Sequence, residues 1–155
     1  GGLKAAKKYF SLKDDILIHN VDIISKIDIL SMQKELNKSN SLAILAVSQR
    51  KTSRQLLFNQ ENLLSGWQNT QTKEEIITRN HKELTPLAFS GIHIIKPQVL
   101  ELMPQENKFS IINHYLELSK NNDLLAFKHE GVMWYDVGKY EQIAEIEQQI
   151  IQNYI

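Results

Sequence analysis

Short continuous apolar runs alternate along this chain with segments of helical period, and polar, Gly or Pro positions punctuate them. Residues 3–9 suit a short helix, and 15–21 a buried strand. Ser25 with Asp28 three residues on resembles a capping box for a helix carrying Ile27, Leu30 and Met32. Leu42 to Val47 is a second buried strand, apolar enough to be covered on both faces. Gln55–Phe58 and Leu63–Trp67 flank a polar turn, Asn59-Gln60-Glu61-Asn62, in the manner of a β-hairpin. Residues 68–83 hold no clear period and read as a surface excursion with at most an irregular strand. Leu87 to Ile95 is the next strand. Pro97 then opens a helix with Val99, Leu100 and Met103 on one face, and Ser110 caps another bearing Ile111, Ile112, Tyr115 and Leu116. Leu124–Phe127 and Val132–Tyr135 are the last strands, turned by Glu130-Gly131. After Gly138, Ile143, Ile146, Ile150 and Tyr154 fall at helical spacing. This alternation predicts a single α/β domain, doubly wound, with a mostly parallel sheet and an inserted hairpin.

Composition narrows the function more than the fold. Lys and Arg number 18 and Asp and Glu number 18, so the basic excess of a nucleic-acid binder is missing. The chain has no cysteine, which excludes disulfides and thiolate metal sites and is compatible with a reducing cytoplasm. No apolar run is long enough to span a membrane.

Candidate chemistry centres on two carboxylates. Asp22 ends the run Ile16-Leu17-Ile18-His19-Asn20-Val21, and Asp136 ends Val132-Met133-Trp134-Tyr135. A strand that finishes on a carboxylate delivers it to the sheet edge, where open α/β folds bind ligands. Two such carboxylates suit one Mg²⁺, which takes one or two of them with substrate phosphates and water. A turn or a helix cap is the structural alternative for each aspartate. Asn20, two residues before Asp22, shares its strand face and would brace it or touch a ligand. Arg50, Lys51 and Arg54 form a basic cluster next to a strand; phosphate contact is one reading of it, and a solvated surface the commoner one. His19, His93 and His114 lie in apolar surroundings without ligand spacing, which favours packing or supporting roles over metal binding. Trp67 and Trp134 could stack on a base or a sugar, with core packing the default for Trp in a strand.

The order HNVD, QRKTSRQLLF, GW, FSGIHII, KFSIINHYL and WYDVGK resembles the sugar-1-phosphate nucleotidyltransferases. The likeness is to the short bacterial type that includes N-acetylmuramate-1-phosphate uridylyltransferases and mannose- or heptose-1-phosphate guanylyltransferases. It implies a Rossmann-like sandwich around a mixed sheet, and a cytoplasmic enzyme supplying nucleotide sugars for cell-envelope polysaccharide. The partners it implies are a nucleoside triphosphate and a sugar 1-phosphate, joined with release of pyrophosphate, and the cofactor is Mg²⁺. By the same resemblance Asp22 and Asp136 are the metal-binding, catalytic aspartates. Gly1 and Gly2, with Asn20, face the nucleotide, and Ser90 and Gly91 line the sugar-phosphate pocket.

The chain departs from that pattern in a minor respect, Tyr140 where the family often has Pro after DVG-x, and in a major one. The G-x-G-T-R-L loop that holds the triphosphate in this family is not among the 155 residues. The expectation is therefore the C-terminal part of such a domain, inactive alone. The alternative is a non-catalytic interaction or regulatory module, which exposed sheet surface would allow to associate as a homo-oligomer.

Overall fold

The computed structural model describes residues 2–106, 108–138, 143, 144, 146–148 and 151. Gly1, Tyr140, Ile150 and Tyr154 lie outside the described residues. The elements, in order, are α1 (Gly2–Ala6), a single 3₁₀ turn, β1 (Ile16–His19), β2 (Ile23–Ser25), α2 (Ile29–Lys38) and β3 (Ala43–Ser48). Then come β4 (Arg54–Phe58), β5 (Leu64–Asn69), β6 (Glu74–Ile77), β7 (Thr85–Ile95), α3 (Gln98–Glu101), α4 (Ile111–Ser119), β8 (Leu124–Lys128) and β9 (Trp134–Asp136).

One seven-stranded mixed sheet runs β6-β5-β4-β7-β3-β8, with β1 also paired to β7. The long β7 organises it, taking β3 along one edge and β4 and β1 along the other, all antiparallel. The expected balance shifts here: among the described pairings only β3–β8 is parallel, and the rest are antiparallel. Because β1 and β3 both oppose β7 and β8 follows β3, these three strands share one direction. Their carboxyl ends therefore gather at one rim of the sheet.

Helices cover both faces. Alternation along β3 sends Ala43, Leu45 and Val47 to one side, where they pack with Val99, Leu100, Tyr115 and Leu116 of α3 and α4. Ile44 and Ala46 point to the other side, against Met32 and Leu36 of α2 and against Ile23 and Trp134. All six residues of β3 are buried, as its unbroken apolar run requires. The β4–β5 hairpin closes on Asn59, whose side-chain oxygen accepts from the amides of Glu61 and Leu63, with Asn62 at φ 60° completing the turn. The excursion after it forms β6, an exposed edge strand paired with β5.

Three local expectations are revised. Asp28, not Ser25, caps α2, and its Oδ1 accepts from the Ser31 amide; the Ser25 hydroxyl accepts from Ile27 instead. The first strand stops at His19: the Asn20 amide still reaches the Gly91 carbonyl in register, but the Asn20 carbonyl accepts from the Ile23 amide in a turn. β8 and β9 are not hairpin partners: β8 joins β3, whereas β9 pairs with β2 in a separate two-stranded ribbon. Gly131, at φ 72°, makes the turn between them.

His93 gives the core a pH dependence. It is buried on β7, its Nδ1 bonded to the Tyr115 hydroxyl at 3.1 Å and its Nε2 without a partner among the described residues. Burial pushes its pKa down to about 3. The unfolded chain takes up that proton near pH 6.5 and the folded chain does not until about 3, so stability falls as pH drops through that window. The limiting slope is about 1.4 kcal/mol per pH unit for one such group. Burial lowers His114 and His129 in the same direction. Urea unfolding at pH 7 and pH 4.5 should show this loss, and His93→Gln should flatten it. An unchanged acid slope in that variant would remove His93 from the account.

Candidate active site

The gathered carboxyl ends of β1, β3 and β8 position the site. Beyond β1 the chain makes a tight turn, with the Ile23 amide donating to the Asn20 carbonyl, and Asp22 sits just before β2. The ribbon register sets Ile23 opposite Asp136, and the Val137 amide donates to the Asp22 carbonyl at 2.8 Å. Asp22 and Asp136 are thereby brought together, though by a ribbon beside the main sheet rather than by two of its strands.

Gly138 shows how closely they converge. A Cβ on Gly138 would lie 3.1 Å from Asp22 Oδ2 and 3.1 Å from Asp136 Oδ1. At most twice that distance separates the two oxygens. The Gly138 amide also donates to Asp136 Oδ1 at 3.0 Å, which fixes that carboxylate's orientation. Asp136 is exposed and Asp22 half-buried. Among the described residues no third His, Asp or Glu joins them. Two carboxylates converging beside Gly138, one exposed and one half-buried, form a donor set that fits Mg²⁺, which takes its other ligands from water and phosphate.

The other expected residues take varied places. Gly91 is buried at φ 75°, at the irregularity where β7 shifts register against β3. The Asn20 side chain lies against it, with Nδ2 2.9 Å from where a Cβ would be. Asn20 therefore braces the bulge as well as preceding Asp22. Ser90 is fully buried; its hydroxyl shares a 2.7 Å hydrogen bond with His129 Nε2, and its carbonyl accepts from the Trp134 indole at 2.9 Å. Its contribution is to hold the neighbouring β8 end and ribbon in place. Gly2 opens α1, exposed, with open space where a side chain would stand. His19 is exposed and bonds its own neighbour's carbonyl.

Arg50 is the main departure from the sequence reading. It leaves the end of β3 half-buried, not solvated. Its guanidinium stacks 4.2 Å from the Trp134 ring centroid, and Nη2 donates to the Phe89 carbonyl at 2.6 Å. Burial lowers its pKa from the ordinary arginine value, and the charge of Asp136 opposes that shift. The sequence signal was its position three residues past the apolar run Leu42–Val47. His129, which follows β8, was not anticipated; nothing in its local sequence names Ser90 as its partner. Burial lowers its pKa, Arg50 adds to that, and Glu130 opposes it.

On the α4 side of Arg50 lies a cleft of about 430 Å³. Arg50, Arg54, Gln55, Trp67, Phe89 and Asn113 are among its walls. It pairs aromatic surface with hydrogen-bonding and cationic groups, the lining expected for a polar small molecule. Arg50 belongs to both places, since it lines the cleft and stacks on the strand that ends in Asp136.

No protein-family model matches this chain, and no curated protein matches it in sequence. Solved structures do match in fold. A protein from Bacillus anthracis assigned as a glucose-1-phosphate thymidylyltransferase, in complex with a sucrose, superposes with a TM-score of 0.67 at 14% identity, over 92% of this chain and 56% of its own. The inositol-1-phosphate CTP transferase from T. maritima gives 0.61 at 11%, over 88% and 54%. An apo UDP-glucose pyrophosphorylase gives 0.68 at 15%, over 99% and 59%. The chain thus has the mixed α/β fold of these nucleotidyltransferases and spans little more than half their length.

Proposed function

We propose that this chain carries the metal-binding and sugar-phosphate side of an enzyme that transfers a nucleotidyl group from a nucleoside triphosphate to a sugar 1-phosphate, giving a nucleotide sugar and pyrophosphate. The observation that supports this is the convergence of Asp22 and Asp136 over Gly138, beside a polar cleft reached through Arg50. Asp22 and Asp136 would hold Mg²⁺, which when bound neutralises phosphate charge and orients phosphate oxygens. The acceptor phosphate is already anionic, so positioning and charge neutralisation outweigh any need for a strong base. Within this reading the cleft takes the sugar, the Ser90-Gly91 bulge shapes the wall between cleft and ribbon, and Asn20 holds the Asp22 turn and contacts the nucleotide.

The test is pyrophosphate release from a panel of triphosphates and sugar 1-phosphates, with the native protein and with these 155 residues. Turnover of one base and sugar pair is expected from the native protein, and background rates from the 155 residues, which contain no G-x-G-T-R-L loop. Absence of release by the native protein across the panel would overturn the reading. The interaction-module reading draws on one observation, the exposure of Leu17, Val21 and Ile24 near the aspartates. A stable oligomer that binds neither Mg²⁺ nor triphosphate would favour it.

A further inference from the structure

Arg50 carries a charge that the protein itself does not neutralise by contact. It makes no ion pair among the described residues, although Arg79 and Lys120 do. Its Nε is buried without a hydrogen-bond partner among those residues. Nη2 is committed to the Phe89 carbonyl, and the Trp134 ring fixes the plane of the guanidinium. Trp134 is itself anchored through its indole to the Ser90 carbonyl, and Ser90 to His129. A half-buried cation held this firmly, acted on by Asp136 through space but in no ion pair among the described residues, is arranged for an anion that comes from outside.

Resting on the nucleotidyl-transfer reading, we propose that Arg50 positions the phosphate of the sugar 1-phosphate, seating it between the cleft and the Asp22–Asp136 pair. The planar guanidinium fork matches two phosphate oxygens at once. Its place is appropriate, because the residue lines the cleft while its stacking partner lies on the strand that ends in Asp136. The neighbouring Lys51 and Arg54 are exposed and have no such scaffold. The sugar would then extend toward Trp67 and Asn113, and its phosphate would remain at the carboxylate side.

The experiment follows the Trp134 indole N–H by NMR in the 155-residue chain during titration with inorganic phosphate, glucose 1-phosphate and glucose. Both phosphates should shift that signal. Arg50→Gln should weaken their binding about tenfold or more, as loss of a charge-assisted hydrogen bond would. Arg50→Lys should retain charge but recover only part of the affinity, since it lacks the fork. Mn²⁺ should still bind at the aspartates in both variants, and no more weakly in Arg50→Gln, which removes a positive charge acting on Asp136; general unfolding would not give that result. Equal phosphate affinity in Arg50→Gln overturns the proposal and leaves the transfer reading standing. A parent chain whose indole signal ignores both phosphates also overturns it. Phosphate-specific binding through Arg50 without pyrophosphate release by the native protein would instead sink the transfer reading alone.

Discussion

Asp136→Asn and Asp22→Asn should each cost the site its divalent cation. Mn²⁺ is a spectroscopic substitute for Mg²⁺, and its affinity for the 155-residue chain should fall by more than the roughly 10–100-fold seen when only an outer partner of a metal ligand is removed. In the native protein, pyrophosphate release should fall by about 10²–10³-fold or more, the scale of losing one main electrostatic contribution to the transition state. The fold should persist, because neither carboxylate supports the core: Asp136 is exposed, and the ribbon is held at Asp22 by its backbone carbonyl. Gly138→Ala offers a separate route to the same outcome. Its methyl group would occupy the point 3.1 Å from both carboxylate oxygens, so it should displace the cation with both charges kept. Unaltered Mn²⁺ binding in Asp22→Asn or Asp136→Asn would remove that aspartate from the metal site, and normal binding in Gly138→Ala would place the cation elsewhere.

Gly91→Ala should reduce stability and metal affinity together. Gly91 has a φ of 75°, which a residue with a Cβ adopts only at a cost of about 1–3 kcal/mol when the surroundings hold it there. The added methyl group also meets Asn20 Nδ2 at 2.9 Å and Ile23 Cγ1 at 3.2 Å. The Asn20 amide is bonded to the Gly91 carbonyl, so the turn cannot simply swing clear. Relief must come from Asn20 and Ile23, the residues on either side of the Val21-Asp22 step. For a domain of this size the melting temperature should drop by about 2–4 °C per kcal/mol lost. Mn²⁺ affinity should fall with it, as Asp22 leaves its place over Gly138. A variant with parent-like melting and parent-like Mn²⁺ binding would show that the bulge absorbs the methyl group and that Asn20 does not control Asp22.

What the sequence disclosed follows from what periodicity encodes. The buried run at Leu42–Val47 revealed β3 because burial on both faces leaves no polar alternation. The Asn59–Asn62 turn revealed its hairpin because that turn's hydrogen bonds are local. The two aspartates stood out because each closes an apolar run, and the structure sets both beside Gly138. Strand partners were not legible. A pattern of apolar positions states which face is buried and not which edge is paired, so the antiparallel role of β7 and the separation of β9 from β8 stayed hidden. Arg50 was underestimated for the same reason: its partners, Phe89 and Trp134, are distant in sequence. Gly91 was read either as a close approach for the sugar or as a strand bulge; the structure shows the bulge, with φ 75° and Asn20 and Ile23 against it, contacts that only the tertiary turn creates.

The ribbon also sets an order of events. β2 lies near the start of these 155 residues and β9 near their end, yet each is the other's pairing partner. Closing that contact costs the entropy of a loop that holds most of the domain. During synthesis β7, β3 and the hairpin can assemble before residue 136 has left the ribosome, whereas the aspartate pair cannot form. The cation site should therefore be among the last features to appear in refolding, with Mn²⁺ capture lagging behind burial of the core. On the proposed reading, a nascent or cleaved chain that stops short of β9 would be folded in large part and unable to hold metal.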